Sequence, residues 1–160
     1  HLRIGYNEKK FYCYKFRSMC KDADTKLKEL QENNNQNIFF KMENDPRITK
    51  IGKIIRKYSI DELPQLFNIL KGEMSLVGPR PIVQWELEQI KKRYHNYSYK
   101  KIFKVLPGIT GLWQVSGRSL LNDEKRLELE IFYVDNWSLN LDLKILLKTI
   151  LVVIFHKGAY

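Results

Sequence analysis

From Leu139 to Phe155 the sequence is apolar around most of a helix's circumference, interrupted by Asp142, Lys144 and Lys148. A helix of this kind needs apolar surroundings on nearly every side. Crossing a bilayer takes about 20 mostly apolar residues, and this stretch is too short and too charged for that. Lys144 and Lys148 are four apart and share a face. Two outcomes fit residues 139–157 equally well. The helix lies in a membrane interface with its lysines among headgroups, or it packs as a core helix against the rest of the chain.

The remainder is one domain's worth of sequence. At 160 residues and 44% hydrophobic content, the chain can bury a core, and wholesale disorder is excluded. It starts at His1 and runs at once into strand-like sequence, so it reads as a piece of a longer protein. Net charge is +10, and residues 1–60 hold 14 Lys/Arg against 7 Asp/Glu. Such a surplus points to a polyanionic partner: nucleic acid, anionic lipid or a phosphorylated substrate. Cys13 and Cys20 have neither redox-pair nor zinc-ligand spacing and read as two reduced thiols. His1, His95 and His156 are scattered and suggest no metal site.

Phe11 to Met19 is rich in aromatics and predicts a strand. Asp22 to Gln31 predicts a short polar helix, followed by an exposed loop at Glu32 to Asn37. Asp45-Pro46 marks a helix start, with Ile48, Ile51, Ile55 and Tyr58 at helical spacing. A second start follows at Ser59 to Glu62, which has capping-box spacing. Pro64 moves the entry later and puts Asp61 near the N-cap, with Gly72 closing the helix. Further helices are expected at about 82–94 and 123–136. Two loops rich in turn residues, Val77 to Pro81 and Pro107 to Arg118, separate them.

Asp61-Glu62 are adjacent carboxylates at this expected helix start. Lys15 and Arg17, then Arg47, Lys53, Arg56 and Lys57, then Arg80 and Arg118, supply cations elsewhere. A helix N-terminus stabilises an ionised carboxylate and attracts phosphate. Neighbouring carboxylates can divide their work: one helps hold Mg²⁺, which favours one or two carboxylates plus substrate phosphates, and the other attacks phosphorus. Arginine and lysine clamps complete a phosphoryl-transfer site. In isolation an Asp-Glu pair at a helix start is more often a cap.

The segments taken together resemble the bacterial sugar transferase family, the monotopic polyprenyl-phosphate glycosyl-1-phosphate transferases. The resemblance is carried by Asp61-Glu-Leu-Pro-Gln65, Gly72 to Pro81, and Pro107 to Arg118. Lys15-Phe-Arg-Ser-Met19 is similar to an early basic motif of that family. Tyr133, Asn136-Trp-Ser138 and Gly158-Ala-Tyr160 are similar to its hexose-1-phosphate branch. The resemblance implies transfer of a hexose-1-phosphate from a UDP-sugar to undecaprenyl phosphate, through a phosphosugar–aspartyl intermediate and with release of UMP. It would be the first step of exopolysaccharide, capsule or O-antigen synthesis. It also implies Asp61 as nucleophile, Glu62 with Asp61 at Mg²⁺, and Arg80 at substrate phosphate. Lys15, Arg17, Arg118 and Gln114 follow as phosphate or nucleotide contacts. Two departures stand out. Glu130 occupies a position where the family usually has Asp, and the family's N-terminal membrane helix has no counterpart in this chain.

The expectation is therefore a compact, mainly helical α+β domain over residues 1–160, with a short β-strand pair and one membrane-associated face. Its partners would be a UDP-sugar, undecaprenyl phosphate and an anionic membrane surface, with no nucleic acid. Its location would be the cytoplasmic face of the bacterial inner membrane. A homodimer is compatible with the sequence, which does not name the sugar. The competing class is a non-enzymatic basic module that binds membrane or nucleic acid, which would leave the Asp-Glu pair and the ordered loops without a role.

Overall fold

The computed structural model of the chain describes residues 1–32, 38–39, 42, 44–94 and 98–155. Most of the loop expected at 32–37, His95, His156 and the Gly158–Tyr160 motif lie outside them. The fold is α+β and mainly helical. Its strands are β1 (Leu2–Ile4), β2 (Lys10–Tyr12), β3 (Ser75–Val77) and β4 (Gly108–Thr110). Its helices are α1 (Ala23–Glu32), α2 (Lys50–Lys57), α3 (Gln65–Leu70), α4 (Gln84–Arg93), α5 (Leu112–Val115), α6 (Asp123–Asp135) and α7 (Leu139–Phe155).

The single strand pair expected from the sequence is replaced by two. β1 and β2 are antiparallel, with Arg3 opposite Phe11. β3 and β4 are parallel, with Ser75 opposite Gly108 and Val77 opposite Thr110. This parallel pairing brings the two turn-rich loops together. A methyl group on Gly108 would lie 2.1 Å from the Gly78 nitrogen, and one on Gly78 would lie 2.5 Å from the Leu106 carbonyl oxygen. The loops touch backbone to backbone, and glycine alone permits that.

The strand expected over Phe11 to Met19 ends at Tyr12. Beyond it, backbone groups find other partners, because every buried N–H and C=O must be satisfied. The Asn68 side chain, fully buried on α3, accepts the Tyr14 N–H at 2.9 Å and donates to the Tyr12 carbonyl at 2.8 Å. It also donates to Glu73 Oε2 at 2.6 Å. The Phe16 N–H goes to the Asp61 carbonyl at 3.0 Å. Lys15 is thereby fixed between two anchored neighbours.

The helix expected from Asp45-Pro46 begins later, at Lys50. Thr49 caps it by accepting the Gly52 N–H, while the Asp45 carboxylate is taken by the backbone and guanidinium of Arg47. The next helix also starts late, at Gln65. Asp61 lies in a separate 3₁₀ turn, Ile60–Glu62. Ser59 is left-handed at φ 56° and makes no side-chain cap, so the expected capping box is not formed. Gly72, at φ 73°, closes the end of α3 as expected.

One core joins Ile4, Ile82, Leu87, Ile90, Phe103 and Leu127 with neighbours from the turn Ser98–Phe103. A second, smaller core seats α7 through Ile145 against Val77 and Tyr133. The Tyr133 hydroxyl bonds Asp142 at 2.8 Å, and Trp137 Nε1 donates to the same carboxylate at 3.2 Å, which sets the α6–α7 corner. Leu141 and Leu146 pack partly buried against this core, while Leu143, Leu147, Leu151 and Phe155 on the outer side of α7 are exposed. No helix among the described residues is long and apolar enough to cross a membrane.

Asn68→Ala should cost about 2–4 kcal/mol, because it empties a fully buried position and leaves the part-buried Tyr14 N–H and Tyr12 carbonyl without their partner. Urea unfolding checks this. A loss below about 0.5 kcal/mol, the range of a neutral surface change, would show that Asn68 does not hold the 12–14 segment.

Candidate functional site

One open cavity of about 590 Å³ gathers every site residue expected from the sequence: Lys15, Arg17, Asp61, Glu62, Arg80, Gln114 and Arg118. Four parts of the fold supply them. The anchored 13–18 segment carries Lys15 and Arg17, and the 3₁₀ turn carries Asp61 and Glu62. The loop after β3 carries Arg80, and the β4–α5 region carries Gln114 and Arg118.

At the centre is Glu62. Its Oε1 accepts Lys15 Nζ at 2.6 Å and Arg80 Nη1 at 3.2 Å. Burial alone would raise this carboxyl, but Lys15 and Arg80 outweigh it and hold Glu62 well below the ordinary carboxylate range. Asp61, only 7% exposed, goes the other way. Burial, together with the Glu62 charge, raises it above its usual value, although Lys15, Arg56 and Arg80 oppose the shift. Adjacent carboxylates thus titrate apart, a pattern typical of groups with different tasks. No hydrogen bond to the Asp61 carboxylate is formed among the described residues. Since α3 begins only at Gln65, the charge acting on Asp61 comes from side chains and not, as the sequence suggested, from a helix N-terminus.

Among the described residues no group of three His, Cys, Asp or Glu could enclose a metal ion. The donor set that is present still fits Mg²⁺. Glu62 keeps one oxygen outside its contacts with Lys15 and Arg80, and the adjacent Asp61 carboxylate is unbonded among the described residues. This ion characteristically takes one or two carboxylates and fills its remaining positions with water and substrate phosphate.

The cations exceed the anions here. Lys15 and Arg80 share Glu62, and Arg47 pairs with Asp45. Arg56 and Arg118 line the same cavity, and no salt bridge to either is formed among the described residues. Burial lowers both, and Glu62 partly restores both. Gln114 is less free than its motif implied, because its amide nitrogen donates to the Ile109 carbonyl at 3.0 Å.

Three contributors were not singled out from the sequence. Arg126 of α6 is buried with its guanidinium between the rings of Phe39 and Trp113, 3.4 and 4.3 Å from the centroids. Burial lowers it to about 10, against Glu86 and Glu130. Arg126 Nε and Trp113 Nε1 are buried without partners among the described residues, a cost of about 1–3 kcal/mol each. The available signal was a charged pair, Arg126 and Glu130, on the same helical face as Leu127 and Tyr133.

Glu130 accepts the Arg80 backbone N–H at 3.2 Å through both oxygens, and so holds the Gly-Pro-Arg-Pro loop. Burial raises its carboxyl to about 7, with Arg126 and Arg80 opposing. A carboxyl raised on folding costs nothing below its unfolded value of about 4.3. The cost grows as pH rises and is complete above about 7. Glu130→Gln should therefore melt at higher temperature than the native chain at pH 8, with the gain shrinking as pH approaches 4. Thermal melts across that range check it, and a gain independent of pH would contradict it.

A family model described as bacterial sugar transferase matches residues 1–156. The chain is 50% identical to the undecaprenyl-phosphate galactose phosphotransferase of Salmonella typhimurium, covering all of this chain and 34% of that protein. It is 44% identical to the exopolysaccharide production protein ExoY of Sinorhizobium fredii, across all of this chain and 71% of the relative. It is 41% identical to an N-acetylgalactosaminephosphotransferase of Aeromonas hydrophila that acts with undecaprenyl phosphate, over 98% of this chain and 35% of that one. The chain spans about a third of the length of the Salmonella and Aeromonas relatives.

Proposed function

Because the chain belongs to the bacterial sugar transferase family, we propose that it carries the catalytic site that moves a hexose-1-phosphate from a UDP-sugar to undecaprenyl phosphate. The observation that carries this reading is the split carboxylate pair. Glu62 is pinned and ionised by Lys15 and Arg80, while Asp61 beside it is raised and unbonded at the cavity wall.

Asp61 attacks the phosphorus that bears the sugar. A carboxylate O–P bond forms, the P–O bond to UMP breaks, and UMP leaves with the bonding electron pair. A carboxylate whose pKa is raised is the more basic of the two and the better nucleophile, provided it stays ionised. Lys15 and Arg80, held in place by Glu62, meet the charge that builds on the transferring and leaving phosphates. Arg56 and Arg118 add to the same field. An oxygen of undecaprenyl phosphate then attacks the aspartyl-bound phosphorus and releases the Asp61 carboxylate. Mg²⁺, held by Glu62 with Asp61, would neutralise phosphate charge when bound.

The lipid half of the reaction draws on the exposed apolar faces. On α2, Ile51 and Ile54 are exposed next to Lys50 and Lys53; on α3, Phe67 and Leu70 are exposed; α7 presents its outer stripe. Apolar side chains interleaved with lysines fit an anionic membrane surface, here the cytoplasmic face of the bacterial inner membrane.

Incubation with a UDP-hexose and Mg²⁺ should add one hexose phosphate to the intact mass of the native chain and nothing to Asp61→Asn. Mass spectrometry of both proteins reads it directly. Equal adducts on both would remove Asp61 from the role of nucleophile.

A further inference from the structure

The phosphate-binding side chains occupy one part of the cavity, and Arg126 belongs to another. Arg80 stands between them. Its guanidinium bonds Glu62 at 3.2 Å and lies 5.9 Å from the Trp113 ring centroid. Arg126 lies against the same ring, 4.3 Å from its centroid. The charges acting on Arg126 are those of Glu86, Glu130, Arg80 and Asp123, whereas Arg56 and Arg118 both respond to Glu62.

A buried guanidinium without a salt bridge is uncommon, because its charge needs partners. No salt bridge to Arg126 is formed among the described residues, and neither of its terminal nitrogens makes a hydrogen bond among them. It is nonetheless held rigid between Phe39 and Trp113, and all three residues line the cavity. Among the described residues, the buried side-chain atoms left without a partner here are two donors, Arg126 Nε and Trp113 Nε1, and one acceptor, Gln114 Oε1, and the terminal nitrogens of Arg126 add further donors. Donors outnumber acceptors, and the setting is aromatic. A flat heterocycle with carbonyl oxygens and a single N–H matches that inventory. The corresponding edge of uracil has two carbonyl oxygens and one N–H, whereas that of guanine has more donors than acceptors.

We infer that Arg126 and Trp113 form a base-recognition end of the cavity that takes the pyrimidine edge of the nucleotide. This rests on the nucleotide-sugar reading above and assigns it a second set of residues, separate from those that hold phosphate. The planar fork of Arg126 supplies paired donors to carbonyl oxygens, a geometry that lysine lacks. Arg80, shared between the two ends, would sense both base and diphosphate.

The test is calorimetric binding of UMP, AMP and inorganic pyrophosphate to the native chain, Arg126→Lys and Trp113→Phe. Losing a bidentate base contact costs about tenfold or more in affinity. Arg126→Lys should therefore weaken UMP by at least about tenfold and leave pyrophosphate within about twofold. Trp113→Phe keeps a ring against Arg126 and removes one donor, so it should weaken UMP and spare pyrophosphate. The native chain should prefer UMP to AMP. If Arg126→Lys weakens UMP and pyrophosphate alike, Arg126 is a phosphate ligand and the inference falls. If Arg126→Lys does not fold, Trp113→Phe decides, and unchanged UMP binding in that variant overturns the inference. A native chain that binds pyrophosphate but not UMP would overturn the nucleotide donor itself, a failure distinct from loss of the Arg126 assignment.

Discussion

The arrangement of this domain depends on one carboxylate oxygen. Glu62 Oε1 receives Lys15 from the N-terminal segment and Arg80 from the loop after β3, and so ties together parts of the chain far apart in sequence. Each of these groups, alone in a partly buried cavity, would be costly to keep charged. Together they remain charged, and removing one partner from such a cluster typically costs about 3–5 kcal/mol.

Everything that holds the cluster in register is backbone chemistry. Asn68 substitutes for a strand neighbour at Tyr12 and Tyr14, and the Asp61 carbonyl does the same at Phe16. Lys15 lies between them and has little freedom to leave Glu62. On the other side, Gly78 and Gly108 pack without side chains, and Glu130 holds the Arg80 N–H. Its carboxylate reaches the Arg80 backbone while Arg126 lies one helical turn away.

Much of this was legible in the sequence because it follows from periodicity and turn chemistry. The helices expected at about 82–94 and 123–136 and the two glycine-proline loops are where the residues put them, and all seven expected site residues line one cavity. The shortfalls have physical causes. Aromatic, β-prone residues at 13–19 predict a strand, but strand formation needs a neighbouring strand, and here Asn68 supplies the hydrogen bonds. Asp61 resembles an N-cap because Pro64 suits a first turn, yet the chain inserts a 3₁₀ turn first. The burial of Arg126 is not legible locally, because charged residues on helices are normally solvated and its cover comes from Phe39 and Trp113, distant in sequence. α7 fits neither expectation alone, since one side packs on the core through Leu141, Ile145 and Leu146 and the opposite side is exposed.

The account turns on the division between two adjacent carboxylates, one ionised and clamped, the other raised and free to react. Reductive trapping addresses that division most directly. After incubation with a UDP-hexose and Mg²⁺, borohydride converts an aspartyl phosphate to homoserine, and peptide sequencing locates it. The account predicts homoserine at position 61 and unchanged glutamate at 62. Modification at 62, or an adduct at neither carboxylate under conditions that release UMP, would contradict it.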